Sequence, residues 1–212
     1  MKNNTKIYSL VTLLILTLIV TSCDDKTEDC SDKAIIGRYF PAYPGSYWNY
    51  HNSEGTITNW RIGKDFIDFD GKCTSFFSNG NYYISENIAY YSFQAQGAIA
   101  IDNMPIYFET IGKSGFAAKS FINYNDNQAL SGSVTRFRKT IGTQTIALDC
   151  LNIFKNTLVV KEYDTLIPNN FYLDYFAKDV GLVLRERVRI DTTGNMDTIK
   201  KLWLKSYHLN KI

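Results

Sequence analysis

The chain has 212 residues, of which 45% are hydrophobic and 21% are charged, a balance typical of folded rather than disordered proteins. Aromatic residues reach 15%, with 15 Tyr and 13 Phe, and this enrichment favours β structure. Lys2 and Lys6 account for the formal charge of +2, since 21 basic residues balance 21 acidic ones without them. Such a neutral chain offers no electrostatic footprint for nucleic acid, which argues against that class of partner.

The N-terminal segment has the layout of an export signal. Lys2 and Lys6 precede an apolar run at residues 7–20, and Cys23 and acidic residues follow it. A transmembrane anchor is the alternative, but a span needs about 20 mostly apolar residues and this run is shorter. The sequence therefore predicts that residues 1–22 are a signal peptide.

The junction itself, Val20-Thr21-Ser22-Cys23, resembles the lipobox of bacterial lipoproteins, although Leu is commoner at its first position and Gly or Ala at its third. The resemblance implies cleavage before Cys23, a diacylglycerol thioether on its thiol, and acylation of the new amino terminus. Chains of about 14–18 carbons, such as palmitate, gain about 0.8 kcal/mol per buried methylene. The expected partner is thus membrane lipid, held through Cys23, and no cofactor is predicted.

Residues 23–38 are predicted to be an acylated Cys and a flexible acidic tether, because residues 24–33 hold five acids and no large apolar side chain. The cluster directly after Cys23 resembles the export signal of Bacteroidota lipoproteins carried to the outer face of the outer membrane. Its members are Asp24, Asp25, Lys26, Glu28 and Asp29. The resemblance implies an outer-membrane location, with surface display favoured over the periplasmic face.

Three cysteines remain: Cys30, Cys73 and Cys150. An exported protein can form a disulfide, but the odd count leaves one thiol over and the pairing stays open. The apolar, β-like surroundings of Cys73 and Cys150 favour buried free cysteines. No pair has the spacing of zinc ligands, so no metal site is predicted.

Residues 39–212 predict one all-β domain, a single curved antiparallel sheet forming a half-barrel or an open barrel-like meander, with a sandwich as the alternative. The turn signals include Asp70-Gly71, Asn79-Gly80 and Gly142-Thr143. Short runs at 57–69 open the series. Further strands are predicted at residues 72–78, 81–86, 88–94, 106–111, 118–124, 134–141, 144–155, 158–163, 171–177, 182–190 and 198–209.

Three segments resemble a family of uncharacterised Bacteroidota outer-membrane lipoproteins. The opening pattern is Y-F-P at residues 39–41, then Gly45 and W-x-Y at 48–50; the closing pattern is residues 175–183, with Asp179 where Gly is usual; residues 149–151 fit a middle signature. The resemblance implies a curved sheet, like the half-barrel of periplasmic lipoprotein carriers, and no activity. Physically, Val180-Gly181 suits a sharp turn, and Trp48 and Tyr50 suit the filling of a sheet face.

Alternating arginines form the first candidate binding site: Arg136, Arg138, Arg185, Arg187 and Arg189. Period-two spacing puts each set on one face of a strand. If the two strands are neighbours, the result is a basic stripe able to hold phosphate or carboxylate. The favoured alternative is a solvated outer face paired with acids such as Glu162 and Glu186.

Aromatic residues and short Asp-Thr motifs give two weaker candidates. A concave aromatic surface binding glycans or acyl chains is weighed against ordinary sheet packing, which is favoured. The residues concerned are Tyr82, Tyr83, Tyr90, Tyr91, Phe93, Tyr107 and Phe108. The motifs at Thr165, Thr192 and Thr198 resemble the acceptor pattern of Bacteroidota O-glycosylation.

No catalytic residue is predicted. His51 and His208 are the two histidines of the chain, and no nucleophile elbow accompanies them. Asp65, Asp68 and Asp70 before Gly71 do not fit a calcium loop, so a hairpin turn is favoured. The sequence thus predicts a non-enzymatic envelope lipoprotein with a binding or structural role. The alternatives are a carrier of lipid or lipoprotein, and a surface glycan-binding protein or hydrolase; a glycan, a lipid or an envelope protein is the expected partner.

Overall fold

The computed structural model describes residue 30 and residues 33–69, 71–78, 82–95, 98–121, 133–149, 152–165 and 167–211. The chain divides into two compact units, Met1–Cys30 and Ser31–Ile212. The predicted signal peptide, Cys23 and the acidic residues after it lie outside the described residues, as do Asp70, Asn79-Gly80 and Cys150. No helix in the described part is long and apolar enough to cross a membrane.

Thirteen strands occur in the described residues, all of them in antiparallel ladders. The first seven are β1 Tyr47–Asn52, β2 Ile57–Arg61, β3 Ile67–Phe69, β4 Lys72–Phe76, β5 Tyr82–Ser85, β6 Ile88–Ala95 and β7 Ala98–Pro105. The others are β8 Ser114–Phe121, β9 Ser133–Ala147, β10 Ile153–Asp164, β11 Asn170–Ala177, β12 Gly181–Ile190 and β13 Met196–His208. The predicted antiparallel all-β class is therefore confirmed.

The strands are divided between two hydrogen-bonded sheets. The larger has eight strands in the order β2-β1-β13-β12-β11-β10-β9-β8, and it does not close into a barrel. The smaller has the order β3-β4-β5-β6-β7. The prediction of one curved meander describes the larger sheet, whose ladders carry several register shifts, and bulges of this kind add twist and bend strands.

The turn predicted at Gly142-Thr143 is wrong. Gly142-Thr143 is no turn, because β9 runs through it and a register shift lies beside Gly142. The turn falls later, where Leu148 N–H donates to Asn152 O at 3.0 Å and Asp149 Oδ1 accepts the Asn152 N–H at 2.8 Å. The Asx geometry of Asp149, rather than a glycine dipeptide, therefore ends the strand.

The predicted strand at 106–111 is also wrong, and the strand before it was missed. β7 ends at Pro105, which has no N–H to continue a ladder. The following loop folds onto β9 instead, since Phe108 N–H donates to Thr140 Oγ1 at 3.1 Å and Gly112 N–H donates to Thr140 O at 2.7 Å. Gly112 has φ +86°, which suits glycine at this turn.

A large part of the core lies on one face of the larger sheet, called here the inner face, which carries Trp48, Tyr50 and Phe176. Five aromatic side chains meet on it and form what we call the aromatic centre: Phe40, Trp48, Tyr50, Trp60 and Phe176. Phe40 stacks on Trp48 with ring centroids 5.1 Å apart. Aliphatic side chains of β10 and β12 complete this packing.

Residues 35–46, called here the strap, precede β1 and form backbone hydrogen bonds with several other parts of the domain. Its Ile35 O accepts a hydrogen bond from Glu86 N–H at 3.0 Å, and its Arg38 O accepts one from Asp179 N–H at 2.9 Å. Gly45 N–H in turn donates to Gly63 O at 2.7 Å. The last residues of the predicted tether, Ile35 and Arg38, are thus bonded to the smaller sheet and to the β11–β12 turn, and Gly45 is bonded to the segment that follows β2.

Candidate functional site

Five charged residues on four neighbouring strands form a continuous group, called here the ionic row: Arg136, Arg138, Glu162, Asp174 and Arg185. In register, Glu162 of β10 faces Arg138 of β9, and Asp174 of β11 faces Arg185 of β12. Leu158, Val160 and Glu162 alternate along β10, so the ionic row shares the inner face with the aromatic centre.

The acids of the row are held by direct contacts with arginines. Arg138 donates through Nε and Nη2 to Glu162 Oε2 at 2.9 and 2.5 Å, and Arg136 Nη1 donates to Glu162 Oε1 at 3.0 Å. Arg185 grips Asp174 bidentately at 2.6 and 2.7 Å. Bidentate pairs between charged groups are among the strongest protein hydrogen bonds, so this part of the sheet is geometrically fixed.

Most of the ionic row is out of contact with water. The side chains of Arg138, Glu162 and Asp174 are 6%, 5% and 1% exposed, whereas those of Arg136 and Arg185 are 27% and 29% exposed. Burial alone would raise the pKa of Glu162, but the neighbouring Arg138, Arg185 and Arg136 lower that pKa to about 2. Glu162 is therefore ionised at neutral pH, and such an anion is poorly suited to general acid–base chemistry.

The 106–113 loop covers the β9 end of the row. Arg138 Nη1 donates to Ile106 O at 2.9 Å, and Thr140 Oγ1 donates to Phe108 O at 2.6 Å. Tyr107, 1% exposed, accepts a hydrogen bond from Tyr39 N–H at 3.1 Å, and burial raises its pKa to about 12. The loop thus connects the ionic row to the strap.

The opening and closing sequence motifs meet at the aromatic centre. Trp48 Nε1–H donates to Val180 O at 2.6 Å, and Tyr50 Oη–H donates to Leu182 O at 3.0 Å. Gly181, between the two acceptors, has φ +113°, and a Cβ there would lie 3.0 Å from Trp48 Nε1. Burial, with a smaller contribution from the Asp174 charge, raises the pKa of Tyr50 well above its usual value. The two motifs thus contact each other directly, as expected of residues with a structural role.

A shallow depression opens beside the ionic row, at the end of the β10–β11 hairpin. Its volume is about 340 Å³, counted out into the solvent at its mouth. Seven residues line it: Arg136, Glu162, Tyr163, Asp164, Ile167, Asn170 and Tyr172. Arg185 lies over the Tyr172 ring at 5.1 Å from the centroid, and Arg187 Nε donates to Asn170 Oδ1 at 3.2 Å.

The structure separates the five predicted arginines into two groups. Arg136, Arg138 and Arg185 meet Glu162 or Asp174 directly, as described above. Arg187 reaches Asn170, and Arg189 lies at the exposed end of β12 with its Nη2 3.9 Å from Asp197 Oδ2. Anion binding by this set stays a prediction.

The other candidate residues are placed as follows. Thr165, Thr192 and Thr198 are all exposed, and glycosylation there stays a prediction. Tyr107 belongs to the core, and Phe108 is half-buried beside Gly115. The remaining aromatic candidates lie on β5 and β6, where Tyr82 pairs with Tyr91 and Tyr83 with Tyr90 in backbone register; their side chains, like that of Phe93, lie outside the described set.

The histidines and the aspartate cluster have packing and turn partners. His51 contacts the edge of Trp203 at 6.2 Å between ring centroids, and His208 stacks on Tyr47 at 5.6 Å. Asp68 Oδ1 accepts the Gly71 N–H at 2.9 Å, which closes the predicted β3–β4 hairpin turn. Within the described ranges, no three side chains of the His, Cys, Asp and Glu types are grouped to hold a metal ion.

The prediction for Cys73 is wrong. Cys73 lies in β4 and is half-buried, yet it is disulfide-bonded, as is Cys30. The apolar residues around Cys73 indicate a strand, but they do not show whether its thiol is free. Spacing along the sequence likewise does not reveal which thiols approach each other. Cys150 lies outside the described residues.

Sequence reasoning missed Asp174, Asp164, Asn170 and Tyr172 as members of this region. A signal for Asp174 was present, since it is the one acid in the apolar run FYLDYF of β11. An acid in such a run predicts a buried charge, which needs a cationic partner. The neighbouring strand then supplies Arg185 as that partner.

Two solved structures resemble this chain at low sequence identity. No family model and no curated protein matches the chain. A candidate lipoprotein from Parabacteroides distasonis is 10% identical, with a TM-score of 0.35 over 82% of this chain and 99% of the other. A candidate exported protein with a YmcC-like fold from Bacteroides fragilis is also 10% identical, with a TM-score of 0.38 over 82% of this chain and 100% of the other. At this distance neither resemblance assigns a function to the chain.

Proposed function

We propose that this chain is a lipoprotein of the cell envelope, acylated at Cys23, whose β domain has a non-catalytic binding or structural role. The observation that carries the proposal is the position of Cys23. It follows the apolar run at residues 7–20 after two small polar residues, and an acidic segment begins directly after it. An acyl anchor at that point would hold the domain Ser31–Ile212 at a membrane by way of the acidic segment.

The disulfide-bonded state of Cys30 and Cys73 supports export. Disulfides persist in oxidising compartments such as the periplasm and the cell surface, and they are rare in the cytosol. The acidic cluster Asp24, Asp25, Lys26, Glu28 and Asp29 supports the outer membrane, with the outer face favoured.

The chemistry of the described side chains supports a role without catalysis. Glu162, the most deeply buried acid with a shifted pKa, is bonded to three arginines. A general base needs a pKa near the working pH, whereas the pKa of Glu162 is lowered to about 2. The carrier alternative has less support, because Trp48, Tyr50 and Leu182 are each at most 2% exposed, so the inner face is tightly packed where they lie.

Metabolic labelling with a fatty-acid analogue tests the anchor. We expect the wild-type chain to carry label and Cys23→Ala to carry none. Ser22→Ala is the matched control, because Ala is a common third residue of the lipobox and label should be retained. Equal labelling of wild type and Cys23→Ala would refute the proposal.

Protease treatment of intact cells tests the face of display. We expect the intact-cell digest to remove the β domain while a periplasmic marker survives. Protection of the domain until the outer membrane is opened would place it on the periplasmic face instead. Labelling and shaving are independent, so either part of the proposal can fail alone.

A further inference from the structure

The face of the larger sheet opposite the inner face, called here the outer face, carries two polar rows across β2, β1 and β13. Side chains alternate along β1, so Tyr47 and Asn49 lie on the face opposite to Trp48. The register partners of these two residues complete the rows, which are Arg61-Tyr47-His208 and Asn59-Asn49-Ser206. Each row therefore crosses three neighbouring strands, about 10 Å from end to end.

Arg61 is exposed, yet two neighbours hold it in one orientation. Its Nε donates to Asn59 Oδ1 at 2.8 Å, and its guanidinium lies over the Tyr47 ring at 5.7 Å from the centroid. From β13, His208 stacks on the same ring at 5.6 Å. Within the described part of the chain, no carboxylate or carbonyl accepts a hydrogen bond from the Nη groups of Arg61. An oriented guanidinium fork with no acid bound to it matches a carboxylate in both shape and charge.

The second row is a chain of hydrogen bonds that all run in one direction. Asn59 accepts from Arg61 and donates through Nδ2 to Asn49 Oδ1. Asn49 Nδ2 in turn donates to Ser206 Oγ at 2.9 Å. Ser206 is exposed, and none of the described residues accepts the proton of its hydroxyl. The chain thus ends in an open donor, and hydrogen bonds in such a chain strengthen one another.

The charge at this end of the sheet is positive. Lys205, the extra residue where the β1–β13 register shifts, is exposed and precedes Ser206. Among the residues that the structure describes, neither Lys205 nor Arg61 has a carboxylate within ion-pairing distance, whereas Lys200 and Lys201 are each paired with an acid. Two open basic groups beside an open hydroxyl donor favour an anionic ligand.

The polar rows also narrow the class of anion. An anionic membrane surface is recognised by clusters of about 4–8 Lys and Arg residues, and two open ones lie here. An extended peptide adds to the backbone of a sheet edge, whereas the open groups of this site are side chains on a face. Amide and hydroxyl groups beside a fixed guanidinium suit a ligand that carries hydroxyls next to its carboxylate.

We propose that the outer face of β2, β1 and β13 binds a uronate-containing oligosaccharide, with a carboxylate on the Arg61 fork and hydroxyls on Asn49 and Ser206. The site extends over about 10 Å from β2 to β13, so an oligosaccharide rather than a single sugar spans it. Lys205 adds to the attraction of the carboxylates. The proposal gives the binding role of the β domain a ligand class, and to that extent it rests on the proposed function.

Calorimetric titration of the full chain in detergent micelles tests this site. The probe is trigalacturonate, and its methyl ester is the matched control because it keeps the sugar rings and hydroxyls and removes the charge. We expect trigalacturonate to bind in the millimolar range or more tightly, and the ester to bind at least about tenfold more weakly. Inorganic phosphate at the same concentration should not displace trigalacturonate, because it lacks the hydroxyl contacts.

Variants then locate the binding. Arg61→Ala should weaken it by about tenfold or more, and Arg61→Lys should restore only part of the loss, because it keeps the charge without the fork. Ser206→Ala should weaken binding by several-fold, since one hydrogen bond is removed. Arg38→Ala is the matched control and should leave binding unchanged. Arg38 is also an exposed arginine over a tyrosine ring, 5.9 Å from the centroid of Tyr39, but it lies in the strap.

The site is refuted if trigalacturonate does not bind, if its methyl ester binds equally well, or if Arg61→Ala and Arg38→Ala bind it alike. Phosphatidylglycerol vesicles and poly-glutamate are the competitors. If either binds more tightly than trigalacturonate and depends on Arg61, the face recognises a membrane or an acidic protein and the inference is overturned.

Repeating the titration with Cys23→Ala separates this inference from the anchor. Binding of trigalacturonate by that variant supports the site even if labelling shows no acylation. A chain that is labelled but does not bind trigalacturonate refutes the site and leaves the anchor intact.

Discussion

The aromatic centre and the ionic row both place buried side chains on the inner face of the larger sheet, yet their stability has different origins. Trp48 and Tyr50 gain from removing apolar area from water, and their polar atoms bond to backbone carbonyls. Glu162 and Arg138 lose hydration on burial, and polar contacts replace it: their bonds to each other, those of Glu162 to Arg136 and Arg185, and that of Arg138 to Ile106 O. The first region should tolerate small trimming, whereas the second should fail when one member is removed.

Removing a single charge from the ionic row should have the largest effect. Glu162→Gln keeps the volume but removes the carboxylate nearest to Arg138, which is 6% exposed and then has only Asp174, 3.5 Å away, as a charged partner. Loss of one member of a buried pair costs about 3–5 kcal/mol. We expect a loss of that size in the free energy of unfolding, measured by urea denaturation.

The exposed pair of Lys200 and Glu54, 2.8 Å apart, provides the control for this substitution. Both side chains are more than half exposed, so Glu54→Gln should cost at most about 1 kcal/mol. Similar losses from the two substitutions would show that burial of the ionic row does not matter.

Lowering the pH should reduce the free energy of unfolding of the wild-type chain in the same way as Glu162→Gln does. The pKa of Glu162 is lowered to about 2 in the folded chain, from 4.5. Its contribution to stability is therefore complete above pH 4.5 and is lost as the pH falls through 2, by roughly 3 kcal/mol. Other acids titrate in this window as well, so the difference in unfolding free energy between wild type and Glu162→Gln is the quantity to measure. We expect this difference to shrink as the pH falls, and a constant difference would contradict the assignment.

The fold was largely predictable because it depends on local patterns. Alternation along residues 171–177 and 182–190 matched β11 and β12 closely, and the turn at Val180-Gly181 is where the structure has Gly181 at φ +113°. The failures were also local. The turn predicted at Gly142 is wrong because a glycine in a bulged strand and a glycine in a hairpin have the same sequence signature.

The candidate site was predictable only in part, because it depends on which strands are neighbours. The period-two spacing identifies the arginines of β9 and β12 as residues that share a strand face. Their acidic partners lie on β10 and β11, the two strands between β9 and β12, and the spacing does not predict this strand order. Burial of the row was likewise hidden, since the loop that covers Arg138 was predicted to be a strand. Long-range placement of charges is thus the step that sequence pattern did not supply.

A substitution at Gly181 tests how tightly the aromatic centre is fitted. Ala there must adopt φ near +113° and place its Cβ 3.0 Å from Trp48 Nε1, which donates to Val180 O. We expect Gly181→Ala to destabilise by about 1–3 kcal/mol in thermal or urea unfolding. Gly194→Ala is the control, because Gly194 also has a positive φ of +88° but has no neighbour within 4 Å of the added Cβ. Equal losses from the two would mean that backbone strain alone, and not contact with Trp48, accounts for the effect.

The smallest effect should come from removing one hydroxyl of the aromatic centre. Tyr50→Phe keeps the ring that packs on Trp60 and deletes the donor to Leu182 O at 3.0 Å. Because one buried neutral hydrogen bond is lost, we expect a cost of about 1 kcal/mol, several-fold less than for Glu162→Gln. Tyr207→Phe, on a 43% exposed side chain, should change the unfolding free energy by less than about 0.5 kcal/mol. If Tyr50→Phe instead cost as much as Glu162→Gln, Tyr50 would have to be counted with the ionic row, whose Asp174 and Arg185 are close enough to affect its pKa.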